Sequence, residues 1–128
     1  MGAGGDFVMD RAKASWRWTR GYVEDVADAI ALAATDPRAE GRTYNVGETN
    51  PLTEAEWISR IGKAAGWRGE VRAVPREQLP PELAEPPFDH AHDLVADTSR
   101  IRRELGFREE AAPDEAMRRT VEDARVVR

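Results

Sequence analysis

A chain of 128 residues is long enough for one domain with a modest core and too short for two ordinary ones. Its 41% hydrophobic and 34% charged residues fit a globular chain rather than a disordered one, and a net charge of −5 argues against nucleic acid as the main partner. The absence of cysteine excludes disulfides, thiolate zinc sites and cysteine nucleophiles.

Residues 1–15 carry weak local signals and are read as a poorly defined N-terminal segment, with one α/β domain over 16–128. The first residues, MGAGGDFVMDRAKAS, show no apolar secretion-signal core, and no apolar run approaches the roughly 20 residues of a membrane span. A cytoplasmic location with no membrane partner is therefore expected. Trp16 to Arg20 (WRWTR) predicts a short strand with Trp16 and Trp18 on one face.

RGYVEDVADAIALAATD, residues 20–36, predicts a helix that stops before Pro37, because a residue preceding proline is pushed out of the helical region. At about 100° per residue, Val23, Val26, Ala27, Ile30 and Ala34 share one face, which Ala29, Ala31 and Ala33 widen. Glu24, Asp28 and Thr35 form a narrow polar strip with Leu32 close to it. A surface helix usually keeps a broader wet face. So many small residues suit close approach to a flat partner such as a sheet.

RTYNVG, residues 42–47, predicts a buried strand ended by Gly47. In PLTEAEWISRIGKAAGW, Thr53 and Glu56 have capping-box spacing, Trp57, Ile61 and Ala64 form an apolar stripe beside Ile58 and Ala65, and Gly66 suits a left-handed cap. EVRAVP, residues 70–75, alternates like a strand, and the proline-rich stretch to His90 predicts an irregular loop with one helical turn. DLVADTSRIRRELGF predicts a short strand running into Asp97, which caps a helix carrying Ile101 and Leu105 and ending at Gly106. The last helix starts at Pro113 with Met117, Val121 and Ala124 inward. Its arginines alternate with acids, as on a solvated face.

Few residues group by spacing into a chemical site. The glycines of GAGGDF lack the preceding strand that a dinucleotide loop requires. His90 and His92 find no third metal ligand at suitable spacing, so no metal is expected and both are read as loop histidines near a ligand. No Tyr-x-x-x-Lys pair occurs: Val26 lies four residues after Tyr22, and Glu48 four after Tyr44. No catalytic residue is assigned.

Three motifs in order nevertheless resemble one family. Tyr22-Val23-Glu24-Asp25-Val26-Ala27, Tyr44-Asn45-Val46-Gly47, and Asp97-Thr98-Ser99-Arg100 through Leu105-Gly106-Phe107 are similar to motifs in the C-terminal half of the extended short-chain dehydrogenase/reductases. These are the NAD(P)-dependent epimerases and dehydratases of nucleotide sugars. The resemblance covers roughly residues 16–126 and implies the substrate-lobe portion of a Rossmann-type fold. It places the glycine-rich cofactor loop and the Tyr-x-x-x-Lys pair in an N-terminal half outside these 128 residues.

It further implies NAD or NADP in the intact enzyme, none bound by this chain alone, and no activity alone. In the intact enzyme a tyrosine would act as acid/base during hydride transfer. The family's phosphate-binding arginines point to Arg17 and Arg20, with Trp18 between them, and the motif's opening Tyr22 joins that substrate-side set. The second arginine position falls in AEPPFDHAH, which has none, so His90 and His92 complete the set. A clamp short of a bidentate guanidinium holds phosphate less well, which keeps a smaller carbonyl substrate beside the sugar nucleotide.

The alanine-rich helix then resembles one that covers a parallel sheet, and a homo-oligomer through residues 23–34 is expected to cover it instead. The rival reading is a stand-alone, non-catalytic binding or oligomerisation module derived from the same fold. A hydrolase built on His90 or His92 ranks last.

Overall fold

The structure is a computed structural model that describes residues 4–84 and 88–126. Parts of the glycine-rich start, of the proline-rich loop and of the C-terminal end that the sequence reading covered lie outside the described residues.

The architecture is α/β. Two short strands, β1 (Phe7–Asp10) and β2 (Val71–Val74), pair in parallel with Phe7 opposite Val71 and Asp10 opposite Val74. β1 leads into α1 (Arg11–Ala14), whose first turn is closed by Asp10 accepting the Ala12 amide at 2.9 Å. Residues 7–14 therefore form a strand and a helical turn where local signals are weak. Long-range bonds hold them: the Trp67 indole donates to the Gly5 carbonyl at 2.8 Å, and the Phe7 amide to the Glu70 carbonyl at 2.9 Å.

α3 (Glu54–Ala64) begins with the predicted capping box, the Glu56 amide bonding Thr53 Oγ1 and the Thr53 amide bonding Glu56 Oε2. It packs on α5 (Pro113–Val126), which starts at Pro113 as the sequence predicts. On α5, Met117 is buried and Val121 half-buried, but Ala124, expected inward, is exposed. The proline-rich loop holds two short 3-10 turns, Arg76–Gln78 and Pro81–Leu83.

α2 (Val23–Thr35) ends before Pro37 and packs against α4 (Ser99–Leu105) and the segment around Ala39. Ala29 and Ile101 are fully buried there, with Leu105, Phe107, Leu32, Ala33, Tyr44 and Val46 around them. The inward face of α2 is thus centred on Asp25, Ala29, Leu32 and Ala33. This corrects the sequence reading, which put Leu32 at the polar strip.

The predicted apolar face lies about 140° round the helix. Among its members Val23 is 72% and Ile30 63% exposed, and Ala27 and Ala34 are also on the surface. α2 therefore has two apolar faces, and this chain covers one.

Residues 42–47 do not form the predicted strand, since they have no strand neighbour among the described residues, yet Tyr44 and Val46 still pack on the Ala29–Ile101 core. Asp97 works as predicted by accepting the Ser99 amide at 2.9 Å, although the capping position itself is Thr98. Gly66 and Gly106 adopt the left-handed φ values of 78° and 70° that favour glycine at helix ends. Among the described residues, no helix is long and apolar enough to cross a membrane.

Candidate functional site

Residues 16–20 run extended between two other segments rather than as a strand of the β1–β2 sheet. On one side Arg17 bridges Thr53, and the Glu54 amide donates to the Trp16 carbonyl at 2.9 Å. On the other, Trp18 bridges Leu94, whose amide donates to the Arg17 carbonyl at 2.9 Å. Alternation along an extended strip sends residues 16, 18 and 20 to one side. Trp16 and Trp18 accordingly stack with ring centroids 6.0 Å apart and planes 18° from parallel, as the spacing predicts.

Long-range contacts extend this pair at both ends. The edge of Trp16 meets Phe88 at 5.5 Å and His90 at 5.2 Å, and its indole N–H donates to the His92 carbonyl at 2.8 Å. Beyond Trp18, the Arg20 guanidinium lies 4.4 Å from the Trp18 ring centroid and 4.5 Å from that of Trp57. Glu54 takes an ion pair from Arg20 and, on the same Oε2, the Trp18 indole N–H at 2.9 Å. The result is an aromatic shelf at the surface, backed by a charged wedge.

The five predicted site residues are placed unequally. Arg17 is half-exposed, with Nη1 donating to the Pro51 carbonyl at 2.9 Å and lying 3.6 Å from Glu56. His90 lies on the shelf and His92 beside it, both contacting Trp16. Arg20 is enclosed, 8% exposed, with its charge met by Glu54. Burial lowers its guanidinium from the ordinary value, against the opposing pull of Glu54 and Glu48.

Tyr22 is half-buried at the start of α2, where partial desolvation holds its phenol above the ordinary value and Arg119 and Glu24 act in opposite directions. The structure thus brings His90 and the His92 backbone to Trp16, turns the Arg17 side chain toward Pro51 and Glu56, and sends Tyr22 toward α5. Phe88 and Trp57 were missed, having no local signal to link them to residue 16 or 20.

Two hollows lie elsewhere. A shallow one of about 440 Å³ is lined by Ser59, Lys63, Gly66, Trp67, Arg68 and Gly69. An acidic one of about 190 Å³ lies between α2 and α5, lined by Glu24, Asp25, Asp28, Glu110, Ala111 and Arg119. Buried Asp25 accepts the Glu110 amide at 3.2 Å, so it ties α2 to the approach of α5 instead of capping its own helix.

Among the described residues no group of three or more His, Asp or Glu side chains is placed to hold a metal. Neither described strand ends in the glycine-rich turn of a dinucleotide loop: β1 passes into α1 through Asp10 with no glycine between, and β2 is followed by Pro75.

The fold and the sequence match define a class: this chain resembles the C-terminal part of the extended short-chain dehydrogenase/reductases. It is 31% identical over 101 residues to the dTDP-glucose 4,6-dehydratases of Escherichia coli and Shigella flexneri, a match covering 79% of this chain and 27% of theirs. The chain therefore spans about a quarter of the length of these curated relatives.

Among solved structures, UDP-glucose 4-epimerase from Thermotoga maritima with UDP-glucose matches with a TM-score of 0.71 at 18% identity, over 95% of this chain and 35% of that one. UDP-glucose 4-epimerase from Thermus thermophilus, a complex with NAD, matches with a TM-score of 0.63 at 25% identity, over 94% and 35%. The Bordetella bronchiseptica enzyme WbmF, in complex with NAD+ and UDP, gives 0.65 at 24%, over 90% and 32%. No family model matches the chain.

Proposed function

We propose that this chain supplies the substrate-binding side of a cytoplasmic, NAD(P)-dependent nucleotide-sugar epimerase or dehydratase and has no activity alone. The observation that carries this reading is the 101-residue match to the dTDP-glucose 4,6-dehydratases. The surface around Trp16, Phe88 and His90 supports it, because a flat aromatic edge suits a nucleobase or the apolar face of a sugar. His90 on it and His92 beside it supply ring N–H donors for phosphate or hydroxyl oxygens.

NAD or NADP would supply the hydride chemistry from residues other than those described here. Titrating UDP and dTDP into the chain while following tryptophan fluorescence tests the reading. Quenching that weakens in His90→Ala and His92→Ala is the expected result. No change in the parent chain up to millimolar nucleotide would overturn it.

The enclosure of Arg20 favours a second reading, in which a smaller carbonyl compound replaces the sugar nucleotide. One accessible arginine is a weak diphosphate clamp. Failure of UDP beside binding of a free sugar or keto acid would select it.

The bare face of α2 also supports self-association through Val23, Ala27, Ile30 and Ala34, as a homo-oligomer or as a stand-alone oligomerisation module. Light scattering should then report a dimer mass that Ile30→Glu reduces to a monomer, with stability changed by less than about 0.5 kcal/mol. A parent chain that stays monomeric at high concentration sinks this reading.

A further inference from the structure

We infer that Arg20 is the positioning residue of the Trp16–Phe88–His90 shelf, which it sets through a continuous column Trp57–Arg20–Trp18–Trp16 running from α3 to the surface. Treating the shelf as a ligand surface rests on the proposed function; its positioning by Arg20 does not.

Arg20 has no hand free for a ligand. Its Nη2 is paired with Glu54, and its Nη1 faces the carbonyls of Trp18 at 3.4 Å and Leu52 at 3.5 Å. Its Nε is buried with no hydrogen-bond partner. Burying a cation with one N–H unmet is costly, and an apolar replacement often serves stability as well. What an apolar side chain would not reproduce is a flat, charged wedge between two indoles.

The geometry shows what the wedge does. Trp18 stands between Trp16 and Arg20 on one side of the extended strip, so the guanidinium backs one ring face and Trp16 the other. Glu54 Oε2 takes both the Arg20 charge and the Trp18 indole N–H, which fixes rotation of the ring in its own plane. Trp16 is thereby left one pose in which its N–H reaches the His92 carbonyl and its edge meets Phe88 and His90. Lysine carries the same charge but no plane, so it would fill the gap without aligning the rings.

The test compares the parent chain with Arg20→Lys and with the double variant Arg20→Met/Glu54→Gln, which removes the buried cation together with its ion-pair partner. Helix content by far-UV circular dichroism should be retained. The near-UV tryptophan bands should be lost, and the NMR shifts of the His90 ring should move toward free-histidine values. UDP binding should weaken about tenfold, the scale of one aromatic contact.

Variants that keep the parent's near-UV bands and His90 shifts overturn the inference, whatever happens to UDP. If UDP leaves the parent's fluorescence unchanged while the variants lose both shelf signals, the functional reading fails and the positioning role stands. Should Arg20→Lys lose its helical signal, the double variant decides.

Discussion

Two of the joints in this molecule are built from opposite materials. Around Ile101 the packing of α2 on α4 is dry, with Ala29, Leu105 and Phe107 buried and no ion pair among them. Around Arg20 the joint between the 16–20 strip and α3 holds a buried cation, a carboxylate and three indoles. The dry joint gains its strength from area removed from water and tolerates shape-preserving changes. The charged joint adds little net stability, because desolvation offsets attraction, but it admits few alternative geometries. Stability and site geometry are thus assigned to different places.

The sharpest way to break this comparison is at the dry joint. Ile101→Ala should cost about 2–5 kcal/mol, read as a lower urea midpoint with an unchanged slope, because Ile101 is fully buried and its neighbours close the gap only in part. A loss well under 1 kcal/mol would mean that the dry joint is not where stability resides.

Next comes Gly47→Ala at the charged joint. A Cβ there would stand 2.4 Å from Thr19 Cγ2 and 3.0 Å from the Arg20 carbonyl oxygen, pushing the strip off its track. About 1–3 kcal/mol should be lost, and the near-UV tryptophan signal should change with it. Loss of stability with an unaltered aromatic signal would separate Gly47 from the column.

The smallest effect is with pH. Glu115, bonded first by Arg118 and then by Arg119, has its carboxyl lowered from 4.5 to about 2. The unfolded chain therefore takes up that proton first as pH falls, and the stability contributed by this group is present above about 4.5 and lost on the way down to about 2. Glu48 at the charged joint has the opposite sign: burial raises its carboxyl, so protonation favours the folded form there. Glu115→Gln should flatten the acid limb of a melting-temperature profile, and Glu48→Gln should steepen it slightly. Because Glu115 is partly open to solvent, its effect should shrink in high salt.

What could be read from the residues themselves was set by neighbours along the chain. The Thr53–Glu56 box, the glycines at 66 and 106, and the prolines at 37 and 113 mark helix limits because a cap, a positive φ or a missing amide acts within one turn. Alternation at 16–20 likewise put Trp16 and Trp18 on one side. The three motifs carried the family resemblance for the same reason: each is a short run.

Tertiary structure alone decided the rest. Residues 7–10 became a strand because 71–74 lay beside them, and 42–47 did not, for want of a neighbour among the described residues. α2 carries apolar residues on two faces, and periodicity could not say which would meet Ile101. Arg20 reads locally as a free cation near a phosphate site; only Trp57 and Glu54, brought in from α3, make it a wedge. These outcomes depend on contacts between residues far apart in the chain, whose energies are felt only once both partners are in place.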